Sequence, residues 1–176
     1  MRMSRFNWSW LVTTSRRVVI TVLLAGLGLT ISIPSLADAL DLRRKFYLTS
    51  GTFQGADADT ACDSRFHMAS LYEIFDTSNL KYDTNRGFTF GDSGAGPPSN
   101  VNGWIRTGSD ATASGGPGLA NCNAWTTSSG DPFKGTAVRL REEWDAAAGL
   151  ISPWKAAEGG EQPQCDDFLR VWCVQH

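Results

Sequence analysis

Phe168-Leu169-Arg170-Val171-Trp172-Cys173-Val174 is the stretch that decides the fold. It alternates, it is rich in aromatic and β-branched residues, and it reads as the last strand of the chain. A cysteine sits inside it. Three more precede it, Cys62, Cys122 and Cys165. An even cysteine count in a short exported chain reads as a disulfide framework, not a metal or redox site. Four cysteines allow three connectivities, and the sequence alone does not choose among them.

Export is read from the other end. Arg2, Arg5, Arg16 and Arg17 precede any acidic residue, and the apolar run Val18 to Ile33 follows. That run is short for a membrane span, which needs about 20 residues. Pro34-Ser35-Leu36-Ala37-Asp38-Ala39 then supplies small residues for cleavage after Ala37 or Ala39. Residues 1–37 are therefore expected to be a secretory signal peptide. Ser15-Arg16-Arg17-Val18-Val19 leaves a twin-arginine route open beside the general one. The expected location is secreted or periplasmic, with no membrane attachment after cleavage.

The leader holds four of the 16 Lys+Arg and none of the 18 Asp+Glu, which leaves 12 basic against 18 acidic side chains, a net charge of −6. Phosphate binding needs clustered Lys and Arg, so no nucleic-acid partner is expected. The one basic cluster, Arg43-Arg44-Lys45, reads as a solvated end. About 139 residues remain, enough for one domain with a real core.

Along that domain, Lys45 to Thr49 reads as a first strand. Gly55 to Cys62 reads as a helix, with Ala58, Ala61 and Cys62 on one face and Asp57 and Asp59 in its first turn. Ser70-Leu71-Tyr72-Glu73 matches a capping box and predicts a second helix to Phe75 or Asp76. Asn85 to Asn102 holds Gly91-Asp92-Ser93-Gly94-Ala95-Gly96-Pro97-Pro98-Ser99-Asn100, which no helix interior or central strand accepts. Gly103 to Gly108 reads as a short strand, Ser109 to Asn121 as a second loop, and Cys122–Thr126 and Thr136–Leu140 as two further strands.

In this order the elements resemble a C-type-lectin-like domain over nearly all of residues 43–176. Phe46-Tyr47 stands for the family's first strand, and Ala58-x-x-x-Cys62 for its first helix and cysteine. His67-Met68-Ala69-Ser70 with Glu73 stands for the start of the second helix, and Trp104-Ile105 for the Trp-Ile strand. Cys122, Cys165 and Cys173 complete the set, and the Cys165-x7-Cys173 spacing suits the closing strand. Cys122-x-x-Trp125 and Val171-Trp172-Cys173-Val174 are also similar to bacterial lectin-like and endostatin-like extracellular domains. The resemblance implies an α+β fold: two short helices flanking small antiparallel sheets, long irregular loops and two disulfides. It also implies the pairs Cys62–Cys173 and Cys122–Cys165.

The chain departs from the family where calcium would bind. Calcium-dependent sugar binding there uses a Glu-Pro-Asn-like or Gln-Pro-Asp-like triplet and a Trp-Asn-Asp-like one. The nearest stretches are Pro97-Pro98-Ser99-Asn100, Glu161-Gln162-Pro163-Gln164 and Trp144-Asp145, and none carries the full ligand set that calcium needs. No metal and no cofactor are expected.

Other chemistry is weaker. Cys62 beside His67 offers no thiolate once Cys62 is bridged, so His67 reads as a strand-edge histidine. Glu142-Glu143 and Asp166-Asp167 could be drawn as an acid–base pair, but adjacent acids on an acidic chain read as surface. Asp57, Asp59 and Asp63 lack the glycine and closing glutamate of a calcium loop. Trp104 and Trp172 read as core, whereas Trp144 and Trp154 are candidates for exposed sugar-stacking or protein-contact residues. Asp92 and Asn100 are the polar candidates in the first loop. The expected function is a non-enzymatic binding module, its partner a glycan or an extracellular protein. The alternatives are an enzyme acting on envelope polysaccharide through surface carboxylates, and a purely structural envelope protein.

Overall fold

A computed structural model describes residues 41–110, 118–141, 154–156 and 162–176. The chain divides into two units, Met1–Ala39 and Leu40–His176. The first unit, and with it the expected signal peptide, lies outside the described residues.

The second unit is a mixed α/β structure. In chain order it runs β1 (Arg44–Leu48), α1 (Gly55–Ala58), β2 (Phe66–Met68), α2 (Leu71–Ile74), a 3-10 turn (Thr77–Asn79), β3 (Leu80–Tyr82), β4 (Gly103–Trp104), α3 (Cys122–Trp125), β5 (Ala137–Leu140), β6 (Trp154–Ala156) and β7 (Arg170–Gln175). The last strand is the middle of the sheet. β1 pairs antiparallel along one edge of β7, with Phe46 opposite Val174 and Leu48 opposite Trp172. β2 pairs antiparallel along the other edge, with His67 opposite Val174, and β4 follows it there in parallel. β3 extends the sheet beyond β1 in parallel, and β5 and β6 extend it beyond β4. The expected small antiparallel sheets are thus one seven-stranded mixed sheet.

Alternation along β7 sends Trp172 and Val174 to one face and Val171 and Cys173 to the other. On the first face Trp172 stacks on Phe46 with ring centroids 6.1 Å apart and takes Trp154 edge-on at 4.8 Å. Gly103 lies beneath it. A Cβ there would stand 2.6 Å from both Leu48 and Trp172, so only glycine lets β4 approach β7. On the second face Tyr47 meets Phe66 at 5.0 Å and Trp104 meets Trp125 at 5.8 Å, both edge-on. Both disulfides anchor this face. Cys62 joins Cys173 and Cys122 joins Cys165, with Cα–Cα distances of 5.8 and 5.6 Å. These are the pairs that the resemblance implies.

Two expected elements come out differently. The helix over 55–62 stops at Ala58. Beyond it Thr60 and Ala61 donate to the carbonyls three residues back, which tightens the last turn before Cys62. Cys122–Thr126 is not a strand. Cys122, Asn123, Ala124 and Trp125 have φ of 49°, 54°, 56° and 61°, one turn of left-handed helix. Such a turn costs about 1–2 kcal/mol for each residue other than glycine or asparagine. Asn121 offsets part of that cost. Its side-chain oxygen accepts from the Ala124 N–H at 3.1 Å, and its amide donates to the Ser109 and Asp110 carbonyls. The Cys122 bridge and the Trp125–Trp104 contact hold the two ends.

Tyr82 closes the first face from β3. Its hydroxyl donates to the Phe88 carbonyl at 2.6 Å, and burial pushes it up from 10.0 to about 12, against the Leu48 N–H that it accepts. The folded protein therefore keeps this proton at a pH where the unfolded chain has lost it. Stability from this group is fully present below pH 10 and falls as the pH rises towards 12. Denaturant midpoints measured from pH 9 to 12 should fall more steeply for the parent protein than for Tyr82→Phe. Parallel curves would remove the assignment.

Candidate binding surface

Helix α2 is one turn long and is held by its cap. The Ser70 hydroxyl oxygen accepts from the Glu73 N–H at 3.2 Å, and the Glu73 carboxylate accepts from the Ser70 N–H at 3.1 Å. The Leu71 N–H donates to the Arg106 carbonyl at 2.8 Å, which seats the helix beside the strand leaving β4. Ile74 turns into the core and is fully buried. No described element covers the opposite side, and Tyr72 stands 90% exposed and Phe75 50%. With Leu71, Asp76 and Thr107 they line an open groove of about 640 Å³. Leu119, half exposed, follows Gly118, whose Cα hydrogen faces Leu71. Asp76 is fixed by the Ser78 hydroxyl and the Asn79 amide, at 3.0 and 2.8 Å, and those bonds hold its carboxyl below the ordinary range. Aromatic faces beside a carboxylate and a hydroxyl can stack on the apolar side of a sugar and bond to its hydroxyls.

The residues expected to form a site are not brought together here. Asp92 is exposed at the tip of the first loop, between Gly91 and Gly94, both at positive φ. The base of that loop is tied down: the Phe88 N–H donates to the Leu48 carbonyl, Pro98 is buried, and the Asn100 N–H donates to the Leu140 carbonyl. Asn100 itself has φ 56°, and its side-chain oxygen accepts from Arg139, so it braces β5. Trp154 is 3% exposed and packed on Trp172. It is a core residue and presents no stacking face, because β6 pairs with β5 and directs it inward. Trp144 and the Glu142-Glu143 pair lie outside the described residues.

Asp59, Asp63 and Asp167 are engaged locally through their carboxylates, and Asp166 through its backbone. Asp59 pairs with Arg106, and Asp63 with Arg86. Asp167 accepts from the Gln164 N–H within a turn, and the Asp166 carbonyl accepts from Gln54. Burial alone would raise Glu73. Bonds from Arg44, the Ser70 N–H, His67 and the Ser70 hydroxyl outweigh it and hold the carboxyl at about 2. Among the described residues no three His, Cys, Asp or Glu side chains converge as a metal-binding set. Among them, too, no helix is long and apolar enough to cross a membrane.

The sequence reading placed Tyr72 and Phe75 in the second helix and named neither as a site residue. The signal was their spacing: in a helix capped at Ser70, Tyr72 and Phe75 lie three apart, on the side away from Ile74. No family model, no curated protein and no solved structure matches this chain.

Proposed function

We propose that the chain is an exported binding module with a C-type-lectin-like fold, which takes a glycan without calcium at the groove beside α2. One observation carries this reading: two aromatic side chains, one of them 90% exposed, stand next to a fixed carboxylate and a hydroxyl. Solvent-facing aromatics grouped in this way are a cost unless a partner covers them. The two disulfides fit an oxidising compartment such as the periplasm or the cell exterior. Acid catalysis would call for a carboxyl raised into the working range. Among the described residues the displaced carboxyls, Asp41, Glu73 and Asp76, are held low by hydrogen bonds and ion pairs, which favours binding over hydrolysis.

The test is a screen of glycans and envelope polysaccharides against the oxidised protein, with and without a calcium chelator, repeated with Tyr72→Ala. Binding should survive the chelator and weaken at least tenfold in the variant, about 1.4 kcal/mol. Its melting temperature should stay that of the parent, because Tyr72 buries almost nothing. Equal binding by parent and variant, or no glycan bound by either, would overturn the proposal. The second result would turn attention to an extracellular protein as the partner.

A further inference from the structure

His67 and His176 are 109 residues apart in the chain and adjacent in the fold. His67 lies opposite Val174, so alternation puts His176, two residues on, on the same face one step along the strand. The His176 N–H donates to the Arg65 carbonyl at 3.1 Å, which fixes that end of β7 against β2. The two rings stand 4.7 Å apart and 31° from parallel. Their Nδ1 atoms face each other at 3.2 Å.

The other nitrogen of His67 is committed. Its Nε2 lies 3.0 and 3.1 Å from the two oxygens of Glu73. Glu73 also accepts from Arg44 and from the Ser70 N–H and hydroxyl. A carboxylate only accepts, so the neutral His67 ring carries its hydrogen on Nε2 and its lone pair on Nδ1. Nδ1 of His67 thus lies free beside Nδ1 of His176.

We propose that His67 and His176 chelate a zinc ion through their Nδ1 atoms, with Glu73 as the carboxylate that orients His67. Zinc–nitrogen bonds of about 2.0–2.1 Å at a tetrahedral angle place two ligand nitrogens about 3.3–3.4 Å apart, close to the spacing here. A carboxylate on the far nitrogen of a ligating histidine is the usual support for such a site. With two protein ligands, water completes the coordination and the affinity is modest. The ion would tie β2 to β7 and, through Glu73, to α2, whose outer side carries Tyr72 and Phe75. The proposal does not depend on what occupies that groove.

The competing arrangement is a plain hydrogen bond, in which His176 donates from Nδ1 to His67. Calorimetric titration of untagged, oxidised protein with zinc chloride near neutral pH separates the two. One equivalent should bind with micromolar affinity, and the melting temperature should rise with zinc. His67→Ala and His176→Ala should each weaken binding at least tenfold. Glu73→Gln, which keeps both histidines and a residue able to close the capping box, should weaken it about 10- to 100-fold. His176 is exposed, so His176→Ala folds even where His67→Ala does not. Absence of zinc binding by the parent, or equal affinity in His176→Ala, would overturn the proposal and leave the hydrogen bond.

Discussion

Replacing Cys62 and Cys173 together by serine should lower stability by about 4–5 kcal/mol. The bridge spans 111 residues, and in the chain-entropy model the benefit of a cross-link grows with the logarithm of the loop it closes. Cys122–Cys165 spans 43 residues, and the same model gives about 4 kcal/mol for it. Position widens the difference. Cys173 is fully buried on β7, with Tyr47 opposite on one edge and Met68 on the other, so a serine hydroxyl there must also be desolvated. A domain is stable by only about 5–15 kcal/mol, so this loss takes much of the total. Urea unfolding followed by tryptophan fluorescence checks it. The order of midpoints should be parent, then C122S/C165S, then C62S/C173S. A C62S/C173S midpoint equal to that of the parent would contradict the assignment.

Trp172→Ala should cost about 3–5 kcal/mol, the range for removing a fully buried large aromatic. The ring is completely buried, with Phe46 stacked on it and Trp154 edge-on. Gly103 lies against it, so the cavity cannot collapse from that side without pulling β4 out of register with β7. The indole N–H also donates to the Val138 carbonyl at 3.0 Å, a buried bond that alanine removes. Trp172→Phe separates the two contributions: it refills most of the cavity but restores no donor, and should cost less than alanine while remaining clearly destabilising. Equal midpoints for Trp172→Phe and the parent would show that the indole bond adds nothing. A small loss in Trp172→Ala would show that the first face does not depend on this ring.

Much of the scaffold was legible because its signals are local. The capping box at Ser70 and Glu73 needs only four consecutive residues, and it forms as read. The alternating, aromatic and β-branched run 168–174 reads as the last strand, and β7 forms there over Arg170–Gln175. The left-handed turn was not legible. Cys122-Asn123-Ala124-Trp125 has no glycine to mark positive φ, which is held there by the neighbouring Asn121 and by Cys165 and Trp104 from elsewhere in the chain. Trp154 failed for a related reason. An irregular, glycine- and proline-flanked context suggests exposure, yet the pairing of β6 with β5 brings its ring onto Trp172.

By itself the sequence determined the first and last strands, the capping box at Ser70, the four cysteines and the acidic balance of residues 38–176. Each of these depends on composition or on residues within a few positions of one another. Only the tertiary structure decided which aromatics are core and which are free, and that β4 runs parallel to β7. It alone set His67 against His176 and left Tyr72 and Phe75 facing outward. Those outcomes depend on which distant segments pair, and a side chain's exposure is set by its neighbours in space, not by its neighbours in the chain.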